Sequence, residues 1–317
     1  MTPLAAPKGW LVRAGQLALT VGVTWLIVDR VGPGIGELRA LDAGAWRPDP
    51  FRFALASLLL LLGYFVSGTL WGRIVHDLGG PRLPARTTVP LFMIANLGRY
   101  LPGKVWQIAG LAALAKGKGV PPAVATGAAV LGQGIALLAA ATLGLGTLLT
   151  GPPAYRSWGL LGVGVATSLL LIVSVPAVFR RLASAWLRVA GTEGTLASGS
   201  LHGVRWLALY LVNWALYALA FWVLAESLGF SAELLPVASA FAAAYVLGYL
   251  MIFAPAGLGP REGFLIVFLT PHLGAAPSGM LALVARVWTT AVEVVPAGIF
   301  WIRRVATPAE HRPEGTP

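Results

Sequence analysis

The sequence predicts an all-α, polytopic membrane fold, and three observations predict it. The 317 residues are 57% hydrophobic and only 11% charged, with a mean hydropathy of +0.78, whereas soluble domains carry roughly 25% charged residues. Apolar runs long enough to cross a ~30 Å hydrocarbon layer as helices, about 20 residues each, recur along the chain. Between them no polar block reaches the ~50 residues that an ordinary soluble domain needs.

Taken in order, the first apolar run covers 10–28. It is long and lacks an Ala-x-Ala cleavage pattern, so it reads as a retained helix and not a secretory signal. A mixed-charge loop, 29–50, leads to a second span at 53–75. Next comes an interrupted stretch, about 88–115, closed by Lys116 and Lys118. Pro121-Pro122 opens a span that runs to about 150, and another follows at 157–179, ended by Arg180-Arg181. Residues 180–200, polar with Leu182, Trp186, Leu187 and Val189 interspersed, read equally well as an interfacial helix or a plain loop. A span at 204–226 precedes a loop that has Glu226 and Glu233 but no Lys or Arg. A second interrupted stretch, about 236–270, and a last span, 278–302, complete the series, with Arg303-Arg304 at its end. The expectation is about six transmembrane helices plus two broken ones.

The net charge is +11, and the basic residues flank the apolar runs. That pattern speaks for topology and anionic lipid headgroups, and no nucleic-acid partner is expected. With no cysteine, disulfides and thiolate metal sites are excluded. His76, His202, His272 and His311 have no ligand spacing, so no metal or cofactor is expected. Gly132-x-Gly134, Gly144-x-Gly146 and Gly159-x-x-Gly162-x-Gly164 lie inside spans with no strand before them, which points to close helix packing and not a nucleotide loop.

The two interrupted stretches carry the chemistry. They read Gly98-Arg99-Tyr100-Leu101-Pro102-Gly103-Lys104-Val105-Trp106 and Pro255-Ala256-Gly257-Leu258-Gly259-Pro260-Arg261-Glu262-Gly263. Broken helices with bare charge survive at membrane depth only where protein or a wet cavity satisfies the backbone. As straight helices the two stretches would be roughly 42 and 52 Å long, too long for one crossing. If both instead dive in and return, and the N-terminus is cytoplasmic, fourteen Lys and Arg lie inside against five outside; if both cross, the split is nine against ten. The positive-inside rule therefore favours two re-entrant hairpins of opposite insertion, the blocks 51–150 and 204–304 forming an inverted repeat offset by about 153 residues from Pro102 to Pro255. Paired interruptions of this kind point to a midplane site in transporters.

Pro102-Gly103 and Gly259-Pro260 each suit a helix start, and a helix N-terminus offers free N–H groups and about half a positive charge. Arg99, Lys104 and Arg261 stand beside these ends, which suits a phosphate group. Glu262, Arg286 and Glu293 are further charges at depth, each costing at least ~2.5 kcal/mol on insertion scales unless partnered. A headgroup or ion site is one reading; the other is a purely structural network pairing Arg261 with Glu262 and Arg286 with Glu293. Asn96, Tyr100, Trp106 and Gln107 flank the first break, where they could line a pathway or, for the aromatics, anchor at an interface.

These two motifs, in this order, resemble the signatures of the lysylphosphatidylglycerol synthase transmembrane region, the flippase-like domain of multiple peptide resistance factors and of many stand-alone membrane proteins. The resemblance covers roughly residues 10–305, so the chain reads as a single such domain, 1–317. It implies movement of an anionic or aminoacylated phospholipid, or a related lipid phosphate, between leaflets of the plasma membrane, with both termini cytoplasmic. Arg99, Lys104, Gln107, Arg261, Glu262, Arg286 and Glu293 would serve the substrate, while Pro102, Gly103, Pro255, Gly257, Gly259 and Pro260 shape the breaks. Family members with a cytosolic aminoacyltransferase domain make the lipid; that activity is not carried over here. Nor do the residues show paired accessible carboxylates, a nucleophile–His pair or a metal cluster, so an enzyme is not expected. With no ATP-binding signature, transport would be passive or ion-coupled. A homo-oligomer or a separate lipid synthase are the expected protein partners. The alternatives are a non-transporting membrane partner of a lipid-modifying enzyme and a lipid-carrier glycosyltransferase.

Overall fold

The computed structural model describes residues 48–101, 105–151, 202–251 and 257–306, with isolated positions between 157 and 185. The spans expected at 10–28 and 157–179, the interfacial segment 180–200, and Pro102, Gly103, Lys104 and Pro255 lie outside the described stretches. Among the described residues the structure is helical and has no strand.

Helix α1 (Pro50–Asp77) starts where the Asp49 carboxylate accepts from the N–H groups of Phe51 and Arg52, with Pro50 at the first position, where its missing donor is harmless. It ends at a left-handed Gly79. Then follow α2 (Ala85–Asn96), a 3-10 turn (Leu97–Tyr100), α3 (Trp106–Lys116), α4 (Pro122–Gly144) and its short continuation α5 (Gly146–Thr150). The second half holds α6 (His202–Ser227), α7 (Leu234–Leu250), α8 (Pro260–Leu273) and α9 (Ala275–Ala306). Four helical stretches are long and apolar enough to cross a membrane: Pro50–Asp77, Pro122–Thr150, Gly203–Ser227 and Ala275–Val305. Three of them carry Leu58, Val212, Val287 and Ile302 on their outer faces, all more than 60% exposed, an inversion of the soluble pattern that fits a lipid solvent.

Both interrupted stretches fold back on themselves. At 12 and 11 residues, α2 and α3 are roughly 18 and 17 Å long, too short to span, and they pack on one another. A Cβ built on Gly80, just before α2, would stand 3.1 Å from the Val124 side chain at the start of α4, so this hairpin enters and leaves at one end of the molecule. Helices α7 and α8 pair in the same way. Helix α6 runs antiparallel to α1, with the Asp49 N–H donating to the Ser227 carbonyl at 2.7 Å. Helix α9 runs alongside α1 in the same direction, since Trp288 Nε1 donates to Ser57 Oγ at 2.9 Å and Tyr64 donates to Glu293. The second hairpin therefore enters and leaves at the opposite end.

Helices α1 and α6 form the central seam. Neighbours in one half have counterparts in the other: α1–α2, α2–α3 and α3–α4 against α6–α7, α7–α8 and α8–α9, while α2 also packs on α9 and α7 on α4. Small residues let the backbones approach, as membrane packing requires when no hydrophobic force separates helix from lipid. Gly63 lies against the Tyr217 ring, and a Cβ on Gly144 would stand 2.9 Å from the Ala243 backbone. Gly132 and Gly146 are likewise closed in by Tyr210 and Ser239, but among the described residues nothing lies within 4 Å of a Cβ on Gly134.

Candidate functional site

The tip of the first hairpin is held to α9. Asn96 ends α2, and its Oδ1 accepts from Arg99 Nη2 at 2.8 Å and from Gln107 Nε2 at 2.9 Å, which ties the two legs together. Arg99 then reaches Glu293, with Nη1 to Oε1 at 2.8 Å. Glu293 is buried and accepts twice more, from the Tyr64 hydroxyl and, at 2.7 Å, from Tyr100. One carboxylate thus gathers α1, α9 and the 3-10 turn.

At the second break Gly257 and Gly259 adopt φ of +70° and +86°, a region that side chains with a Cβ rarely enter, and Pro260 then starts α8. The Glu262 carboxylate folds back onto its own helix start, accepting from the Gly259 N–H at 2.8 Å. Its other oxygen faces Arg286 Nη1 at 3.6 Å. The Arg286 guanidinium also lies 5.6 Å from the centre of the Tyr100 ring, so it links the two breaks.

The ion pairs are therefore not those of the structural reading of the sequence. Arg99 pairs with Glu293 and Arg286 with Glu262. The reason is helical geometry: adjacent residues such as Arg261 and Glu262 do not face each other, and Arg286 and Glu293, seven residues apart, are separated by about 10.5 Å of rise. Each charge finds its partner on another element.

Arg261 is the exception. Its guanidinium stacks over Phe241 at 5.0 Å and Tyr245 at 5.8 Å, and among the described residues no carboxylate lies within 4 Å of it. Gly248 makes room for it, since a Cβ there would stand 2.8 Å from the Arg261 Cβ. Arg261, Arg99 and Gln107 line a cavity of about 100 Å³ enclosed by α1, α2, α3, α4, α6, α7, α8 and α9, and a side chamber of about 40 Å³ at Gly248 and Gly257 shares the same three residues. Because a single water needs roughly 10–15 Å³ of such space, the cavity has room for a small polar group.

The structure thus brings Arg99, Gln107, Arg261, Glu262, Arg286 and Glu293 into one region, the first three on the cavity wall and the rest in the ion-pair frame behind it. Trp106 is half-exposed on the outer surface and does not line the cavity. Tyr64, Ser67, Gln133, Asn213 and Tyr217 are on the wall without having been singled out from the sequence; the available signal was a polar side chain inside an apolar span. Among the described residues no group of His, Asp and Glu is arranged to hold a metal.

No curated protein matches the sequence. The family model described as "Lysylphosphatidylglycerol synthase TM region" matches residues 13–297, nearly the whole chain. With its two hairpins meeting at a charged cavity, this chain belongs to the lysylphosphatidylglycerol synthase transmembrane-region family.

Proposed function

We propose that the protein moves an anionic or aminoacylated phospholipid, or a related lipid phosphate, between the leaflets of the plasma membrane, using the cavity between the hairpins as the headgroup's passage. One observation carries this reading: Arg261 stands on the cavity wall and forms no salt bridge within 4 Å with any described carboxylate. Arg99 and Arg286 are neutralised by Glu293 and Glu262, so the described charges at depth leave one cation over. An unpaired ion at that depth costs at least ~2.5 kcal/mol, and a phosphodiester carries the single negative charge that offsets it. The guanidinium fork supplies two parallel donors for phosphate oxygens. Arg99 and Gln107, tied to Asn96, hold the opposite hairpin in place beside it. No enzymatic step is assigned. The two halves are read as an inverted repeat with both termini in the cytoplasm.

The test is a proteoliposome assay that follows an acyl-labelled anionic phospholipid. Arg261→Ala is expected to lower the rate at least about tenfold, as the loss of a charge-assisted contact implies. Its melting temperature should stay close to wild type, because no described salt bridge is broken. Flipping that is unchanged in an Arg99→Ala, Arg261→Ala double variant would remove the assignment.

A further inference from the structure

The cavity has a second kind of wall. Asn213 on α6 is 2% exposed, and its Nδ2 donates to Ser67 Oγ at 2.8 Å, which in turn meets the Tyr217 hydroxyl at 2.9 Å. Among the described residues, Asn213 Oδ1 has no hydrogen-bond partner, and neither does Gln133 Nε2 on α4. Both atoms are buried and both residues line the cavity. A buried polar group without a partner is destabilising, so this wall calls for a guest that donates to one amide and accepts from the other. A hydroxyl does both, whereas an ammonium can only donate.

Charge points the same way. Among the described residues lining the cavity and its side chamber there is no Asp or Glu, whereas Arg99 and Arg261 are there. The aromatic faces nearest Arg261, on Phe241 and Tyr245, are already occupied by its guanidinium. With Arg99 already matched by Glu293, an amine-bearing headgroup would therefore meet the positive charge of Arg261 with no described carboxylate on the wall to receive it.

Resting on the transport reading above, we infer that the headgroup accepted here carries uncharged hydroxyls beyond its phosphate, a polyol or glycosyl phosphodiester, in preference to an aminoacylated one. The phosphate sits at Arg261, and the hydroxyls sit at Asn213 and Gln133.

Binding of short-chain lipids to the purified full-length protein tests this, read by quenching of the wall tryptophans Trp71 and Trp214. The probes are phosphatidylglycerol, lysylphosphatidylglycerol, and phosphatidylmethanol, which keeps the phosphodiester and its charge but has no hydroxyl. Phosphatidylglycerol is expected to bind about tenfold or more tightly than phosphatidylmethanol, the effect of one to two buried hydrogen bonds, and lysylphosphatidylglycerol more weakly than phosphatidylglycerol. Gln133→Leu should narrow the gap between phosphatidylglycerol and phosphatidylmethanol. Equal binding of those two, or tightest binding of the lysyl lipid, overturns the inference, and the wild-type comparison alone decides if the variant fails to fold. A parallel proteoliposome arm separates the two readings. If no lipid moves but the binding preference holds, transport falls and the headgroup class stands; if lipids move and no preference appears, the reverse is true.

Discussion

Three side chains donate to one carboxylate, and that arrangement sets what single substitutions should do. Glu293 accepts from Arg99, Tyr64 and Tyr100, so Glu293→Leu leaves a guanidinium at depth without its counter-charge. Removing one partner of a buried pair costs about 3–5 kcal/mol, and the low end applies because the Arg99 side chain keeps 22% exposure, toward the cavity. The Arg99→Leu, Glu293→Leu double variant should recover most of that stability, since replacing both members of such a pair by apolar groups is often neutral. Thermal melting in detergent of the two single variants and the double variant measures the coupling, and additive losses would show that the pair does not bind the hairpin to α9. Arg286→Leu should cost less, because its pair with Glu262 is longer at 3.6 Å and Glu262 keeps the Gly259 N–H. At this scale the sequence showed which residues are charged at depth but not who pairs with whom. Partner choice depends on which helices meet, and the expected pairing of Arg286 with Glu293 gives way to separate partners on other elements.

The two hairpins were legible because Pro and Gly interrupt apolar runs too long for one crossing, and the described helix start at Pro260 follows from its sequence. Less visible was how each hairpin is drawn tight. The first turns through a 3-10 segment, Leu97–Tyr100, where a Cβ on Gly98 would stand 2.6 Å from the Gln107 backbone nitrogen and 2.7 Å from the Trp106 carbonyl carbon. In the second, Gly248 accepts the same closeness from Arg261. Each glycine is the point where one leg touches the other, a fact that lies in the third dimension and has no local signature. Gly98→Ala and Gly248→Ala should therefore each destabilise by about 1–3 kcal/mol, the usual cost of overpacking, and should disturb the cavity because Gln107 and Arg261 are the residues displaced. Gly134→Ala is the matched control: it lies within α4 with no described neighbour within 4 Å of an added Cβ, and its melting temperature should be unchanged or slightly raised, given alanine's better helix propensity. If all three variants melted alike, close approach of the hairpin legs would not be what the glycines at 98 and 248 provide.

At the scale of the whole molecule, two hairpins enter from opposite ends and meet between α1, α6 and α9. Charge counting anticipates this arrangement, and the packing agrees with it, but neither says which end faces the cytosol. The absence of cysteine makes the question directly measurable, because any introduced thiol is the only one present. Arg82 and Lys118 flank the first hairpin, Ser231 and His272 the second, and all four are exposed. With Arg82→Cys, Lys118→Cys, Ser231→Cys and His272→Cys made one at a time, a membrane-impermeant maleimide applied to intact cells should label the Ser231 and His272 variants. The Arg82 and Lys118 variants should react only after the membrane is opened, since the basic residues cluster at their end. Labelling of Arg82→Cys and Lys118→Cys from opposite sides would mean that the stretch between them crosses the membrane, and the meeting of the two hairpins at Arg261 would lose its basis. Labelling of both pairs with the sides exchanged would keep the hairpins and the cavity and reverse only the orientation.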